Sequence, residues 1–147
     1  EAEWAFAARA GRQTTFTFGP SADSSMGNFR GSYTFDGGVM ESTGDRYGTM
    51  AAGSFAPNRR GLYDIHGNVA EWTLDRYWDR LPGGSVTNPY NNERGRGFVL
   101  RGGSWRDTAE RVRSAARDSA LPTTRRNSIG FRIVLGPEPA LLGEGRK

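Results

Sequence analysis

A loop-rich α+β domain with short strands and few helices is the fold class this sequence predicts, on three observations. Glycine and proline supply 21 and 7 of the 147 residues, a density that breaks regular structure into turns. Residues 1–10 combine helix-forming composition with a shared apolar face, Trp4, Ala7 and Ala8 standing at i, i+3, i+4 spacing, and no long helix is expected elsewhere. The strand-like runs are few and short. The length fits one domain over residues 1–135, with a Pro-, Gly-, Glu- and Lys-rich flexible tail over 136–147. Apolar residues make up only 35%, but aromatics at 12% supply large core pieces and argue against disorder.

Taken in order, residues 1–10 are expected to be helical, with acids at the front, Arg9 near the end, and Gly11 as a left-handed cap. The chain opens inside this helix without a methionine, so it reads as a fragment of a longer protein. Residues 14–18 alternate Thr and Phe and are expected to form a short strand. Residues 19–54 are a long, polar, glycine-punctuated stretch that needs an organiser or is disordered. Asn28 and Asp45 are oxygen ligands that could supply one, or else side chains that turn onto their own backbone.

The stretch Gly61-Leu-Tyr-Asp-Ile-His-Gly-Asn-Val-Ala-Glu-Trp72 is neither a clean helix nor a clean strand. It suits a loop wrapped around a small cation. Beyond it, residues 73–80 form an aromatic cluster fit for core packing. Residues 81–97 form a loop with turn signals at Pro82-Gly-Gly84, Asn88-Pro89 and Asn91-Asn92. Residues 98–101 are a strand candidate. Residues 107–117 can carry a helical turn with Ala109, Val112 and Ala116 on one face, and Pro122 breaks it. Residues 129–135, Ile-Gly-Phe-Arg-Ile-Val-Leu, are the best strand in the chain.

The chain has no cysteine, which excludes disulfides, thiolate catalysis and cysteine metal sites, and leaves the compartment open. The net charge is +4, with arginines scattered between acids rather than gathered in a stripe, so no nucleic-acid partner is expected. No run approaches the ~20 apolar residues of a membrane span. Asp64, Glu71 and the carbonyls around Gly67 can form a Ca²⁺ site, since calcium takes six to eight oxygens and a tight glycine loop turns carbonyls inward. The two acids serve equally as ordinary structural carboxylates. His66, the single histidine, cannot build a multi-histidine metal centre and is read as a packing or surface residue. Arg101, Arg113, Arg117 and Arg132 can clamp an anion. A buried network with Glu71, Asp75, Asp107 or Asp118 is the favoured reading.

Several joined motifs occur in order: Glu1-Ala-Glu-Trp with Ala7-Ala-Arg-Ala-Gly11, Gly53-Ser-Phe with Pro57-Asn58, Gly61-Leu-Tyr-Asp-x-x-Gly-Asn-Val-x-Glu-Trp72, Leu100-Arg-Gly-Gly-Ser-Trp105, Arg113-Ser-Ala-x-Arg117 and Ile129-Gly-Phe-Arg132. Together, over about residues 1 to 134, they resemble the formylglycine-generating enzyme (sulfatase-modifying factor) family. The resemblance implies a variant of the C-type-lectin-like fold with bound structural calcium. One implied Ca²⁺ site takes the Asp64 and Glu71 side chains with the Gly67 and Val69 carbonyls. A second takes Asn28 and Asp45 with the Phe29 and Tyr47 carbonyls. It further implies that the N-terminal part of the family domain is missing and is a natural partner of this part.

The family's catalytic part does not carry over, and no catalytic residue is assigned. Active members use a cysteine pair that binds copper. Asp107 stands near the place of one cysteine, and the region of the other is shortened between Arg106 and Arg113. Ala70 stands where the family often has tryptophan. A carboxylate cannot replace a thiolate for copper(I), so no copper is expected. Ser104 matches a serine of the family's groove. The first expectation is therefore a non-catalytic domain, or scaffold, that binds a peptide or small molecule at Ser104, Trp105, Asp107 and Arg117. An enzyme with cysteine-independent oxidative chemistry, like the sulfoxide synthases or the pyoverdine-maturing oxidase of this fold, is an alternative. So is a variable ligand-binding protein of a diversity-generating retroelement, with changes concentrated at 106–111 and 118–128.

Overall fold

The computed structural model describes residues 1–31, 45–81, 84–87 and 89–135. The expected tail, residues 32–44 of the glycine-rich stretch, and the turn positions at 82, 83 and 88 lie outside the described residues.

The helix α1 spans Ala2–Arg9, as composition predicts. Its left-handed cap falls one residue early, on Ala10 (φ 47°) rather than Gly11, and the Ala10 amide donates to the Phe6 carbonyl at 3.2 Å. Asn58 closes this end: its buried side-chain amide donates to the carbonyls of Ala7 (2.9 Å) and Ala8 (3.3 Å), which the helix leaves unpaired.

Four short strands form one sheet: β1 (Ala70–Arg76), β2 (Phe98–Arg101), β3 (Asp118–Ala120) and β4 (Ile129–Gly130), in the order β3-β2-β1-β4. β2 is antiparallel to β1 (Glu71 opposite Arg101) and to β3 (Leu100 opposite Asp118). β4 is parallel to β1, with Ala70 opposite Ile129. The strand β2 is the expected one. β1 is not: its buried acids Glu71 and Asp75 give it the hydropathy of a loop.

Two predicted strands are corrected. Residues 14–18 close into a tight turn, the Phe16 amide donating to Gly19 (2.9 Å) and the Gly19 amide to Phe16 (3.3 Å). The Phe16 and Phe18 rings stack at 5.4 Å, so the Thr/Phe alternation serves core packing without a partner strand. The run 129–135 is strand only over Ile129–Gly130; Phe131, Ile133, Val134 and Leu135 are exposed. β-propensity needs a neighbour to pair with, and beyond Gly130 none stands alongside among the described residues. The expected helical turn at 107–117 is a pair of tight turns, with Arg111 donating to Thr108 and Val112 to Ala109. Its apolar face is nonetheless real, because Ala109 and Val112 are fully buried.

The core lies beside the sheet and is built from Phe16, Ala22, Phe29, Ala109 and Val112, with Phe18 against it. All five come from loops. Fully burying a side chain the size of Phe16 or Phe29 contributes about 1.5–3 kcal/mol each, so these aromatics hold loops together where few backbone ladders do.

Candidate functional site

The stretch 61–72 is where three backbone segments meet. The Gly67 amide donates to the Gly102 carbonyl (2.9 Å), Asn68 to Asn28 (2.7 Å), and Trp105 to Asn68 (3.1 Å). Gly67 has φ 92°, and a Cβ there would collide with the Asn28 carbonyl; a Cβ on Gly102 would stand 2.9 Å from the Ile65 carbonyl. Both glycines are required by close backbone approach. Asn68, itself left-handed (φ 62°), fastens the junction with its side chain. Its Oδ1 accepts from the Met50 amide (2.9 Å) and from Asn28 Nδ2 (3.0 Å).

Glu71 leads from this junction into β1 and is buried. Arg132 Nη2 and Nε donate to its Oε1 at 2.6 and 2.9 Å, and Trp4 Nε1 to its Oε2 at 2.8 Å. The Glu71 hydrogen bonds push the Arg132 guanidinium above its ordinary value, against the opposing effect of burial. Both Glu71 oxygens are thus taken by one cation and an indole. Asp64 accepts from the Gly53 amide at 2.7 Å. Of the residues Asp64, Gly67, Val69 and Glu71, Glu71 stands in an ion pair with Arg132, and calcium bound through its carboxylate would have to displace the guanidinium. Among the described residues no three Asp, Glu, His or Cys side chains converge as a metal cluster.

The second mapped group differs. Asn28 is 1% exposed and its amide nitrogen donates to Gly48 (3.0 Å) and Asn68. Its Oδ1 is buried with no hydrogen-bond partner among the described residues. Asp45 stands beside Arg30, Oδ2 to Nε at 3.7 Å. An orphaned amide oxygen is a hard neutral ligand of the kind calcium takes, and Asp45 with the Phe29 and Tyr47 carbonyls would complete the oxygen set. Each group thus has an arginine beside its carboxylate, Arg30 at Asp45 and Arg132 at Glu71, and the unpartnered amide oxygen of Asn28 distinguishes the second.

His66 is a core residue, 3% exposed. Its Nδ1 donates to the Val112 carbonyl (2.6 Å) and its Nε2 accepts from the Thr17 amide (2.9 Å), which fixes the neutral tautomer. Phe16 and Phe18 meet the ring edge-on. Burial pushes its pKa down to about 4, partly offset by the Val112 carbonyl. A ring neutral above that pH, with both nitrogens occupied, has no free lone pair for a proton in transit.

Ser104, Trp105 and Asp107 share one turn. The Asp107 carboxylate accepts from the Ser104 amide (2.8 Å) and hydroxyl (2.6 Å). The Trp105 indole reaches the Asn127 carbonyl at 3.5 Å, and Arg106 stacks over its ring at 4.9 Å. Arg117 is committed elsewhere, to Glu1 (Nε to Oε1, 2.5 Å) and to the Trp78 carbonyl (2.7 Å). Burial lowers its affinity for the proton, but the Glu1 carboxylate outweighs that and the net shift is upward. Arg101 is 3% exposed, donates to the Ser114 (2.8 Å) and Ala116 carbonyls, and lies under Trp4. Burial drags its pKa to about 10, which still leaves it charged at neutral pH. The favoured arginine network is therefore present for Arg132 with Glu71. Glu1, which sequence reasoning did not consider, holds Arg117 and stands 3.8 Å from Arg101.

One cavity was not foreseen. A groove of about 440 Å³ opens beside Trp72 and Ile129 and is walled by Thr124, Arg125, Arg126 and Asn127. Nothing in the local sequence signals it, because Trp72 lies more than fifty residues before the rest of the lining.

Comparison with solved structures finds close likeness of fold over 88% of the chain. Treponema denticola variable protein 1 superposes with a TM-score of 0.70 at 29% identity, over 44% of that chain. PvdO from Pseudomonas aeruginosa gives 0.68 at 30% identity over 48% of its chain, and CarF gives 0.59 at 26% over 43%. The chain thus spans less than half the length of these structures. No curated protein matches it. No helix among the described residues is long and apolar enough to cross a membrane. The family model of the sulfatase-modifying factor enzyme 1-like domain matches residues 1–136, and the chain belongs to that family.

Proposed function

We propose that this chain is a non-catalytic member of the family that binds a peptide or small molecule, stabilised by calcium at Asn28 and Asp45. The observation that carries the reading is the turn at Ser104. Where the resemblance places a copper cysteine, Asp107 folds back and caps the Ser104 amide and hydroxyl, and the chain has no cysteine at all. A carboxylate spent on a turn and hard in character does not hold copper(I). What remains is a glycine-backed loop framework in which Ser104 and Trp105 are buried and brace the turn, Asp107 is half-buried, and Arg106 is the exposed side chain among them, a rigid loop format that suits recognition. The test is oxygen consumption by the purified protein with copper(I) and a cysteine-containing peptide. No turnover above a Ser104→Ala/Asp107→Ala variant is expected; turnover clearly above it would overturn the reading.

A second reading, a diversified ligand-binding protein, has its own support. The likeness to Treponema denticola variable protein 1 extends over 88% of this chain. Arg106, Glu110 and Arg111, and most of 118–128, face solvent, where side chains change without cost to the core. Sequences from several isolates decide it. Changes confined to 106–111 and 118–128 support it, and uniform variation rejects it.

A further inference from the structure

We propose that the groove beside Trp72 binds an organic oxyanion that carries a flat apolar group. This rests on the ligand-binding reading above and names the ligand's chemistry. The groove's volume, about 440 Å³, is that of a small-molecule site. Trp72 and Ile129 are the apolar residues of its lining. Both are held by paired strands, Trp72 opposite Leu100 and Ile129 opposite Ala70, so the apolar surface is pre-formed. The wall is a short loop braced by two turns, Thr124 donating to Leu121 (2.9 Å) and Ile129 to Arg126 (3.2 Å). Between those turns stand Arg125 and Arg126, both exposed. Neither guanidinium is ion-paired among the described residues, whereas Arg101, Arg117 and Arg132 all are.

Among the described residues the lining holds no carboxylate. Its side-chain polar groups are donors or amphoteric: two guanidiniums, the Trp72 indole N–H, the Thr124 hydroxyl and the Asn127 amide. A donor-rich lining with an aromatic residue in it matches a carboxylate, sulfate or phosphate joined to a planar body, the anion taken by the arginine forks and the body laid on the indole. The buried Trp105 indole, reaching the Asn127 carbonyl at 3.5 Å, ties this wall to the Ser104 turn. A free aromatic acid and the acidic–aromatic end of a peptide present the same chemistry.

The test follows the Trp72 indole N–H by NMR, assigned among the four tryptophans with Trp72→Phe. The probes are 2-naphthoate, the peptide acetyl-Phe-Asp amide, and neutral 2-naphthylmethanol. Binding by either anion at about 1 mM or tighter is expected, with the better one identifying the source. Arg125→Glu/Arg126→Glu, at two exposed positions, is expected to weaken it by at least about tenfold with the melting temperature unchanged. Equal binding of the neutral probe, or affinity unaffected by the charge reversal, overturns the oxyanion assignment and leaves the ligand-binding reading standing. A Trp72 indole unmoved by every probe overturns the groove as a site. The ligand-binding reading itself falls separately, on oxidative turnover.

Discussion

Acidifying the protein from pH 7 to pH 4 should destabilise it through its one histidine. The His66 ring is 3% exposed, and its folded pKa lies at about 4 against 6.5 when free. Below pH 6.5 the unfolded chain binds a proton that the folded protein refuses. The stabilising contribution is therefore complete above pH 6.5 and is lost as pH falls toward 4. Each pH unit in that window costs about 1.4 kcal/mol, and the full window about 3 kcal/mol. Urea unfolding of the protein and of His66→Gln, measured at intervals from pH 8 to 4, isolates the effect, because the carboxylates titrate in both. Gln is chosen because its amide can both donate and accept, as the ring does between Val112 and Thr17. The variant should be less stable at pH 7, and the two curves should converge on acidification. The imidazole resonance of the folded protein should titrate near pH 4. Parallel stability curves, or a folded-state midpoint near 6.5, would refute the burial argument.

Three further outcomes are expected. Arg132→Met leaves the Glu71 carboxylate buried with only the Trp4 indole for company. It should cost about 3 kcal/mol by denaturant unfolding, and adding Glu71→Gln should recover most of the loss. Gly67→Ala, with φ 92° and a collision with the Asn28 carbonyl, should lose at least about 2 kcal/mol. Gly61→Ala, with φ 78° and open space, should lose about 1 kcal/mol by the same measurement. Calcium at about a hundredfold excess over its Kd should add about 2.7 kcal/mol of stability to the protein. That gain should vanish in Asp45→Asn and persist in Glu71→Gln; the reverse pattern returns the site to Asp64 and Glu71.

Local chemistry explains which parts of the fold were legible. The helix α1 could be read because its composition and spacing act within one segment. So could β2, an apolar run bounded by glycines. The strand β1 could not, since two of its inward residues are acids whose burial depends on distant partners. Arg132 lies 61 residues beyond Glu71, and Trp4 lies 67 before it. The run 129–135 misled for the complementary reason, having the composition of a strand but pairing over two residues only.

The sequence by itself determined the family, the glycine-dependent loop architecture and the lack of any thiol, because each is written in residue identity and spacing. Only the tertiary structure decided what the acids and the histidine do. It turned Glu71 onto Arg132, left the buried Asn28 side-chain oxygen without a hydrogen-bond partner among the described residues, buried His66 between two backbone partners, and brought Arg125 and Arg126 to the groove that Trp72 lines. A polar side chain's role depends on which groups share its low-dielectric surroundings, and those groups come from segments that meet only when the chain is folded.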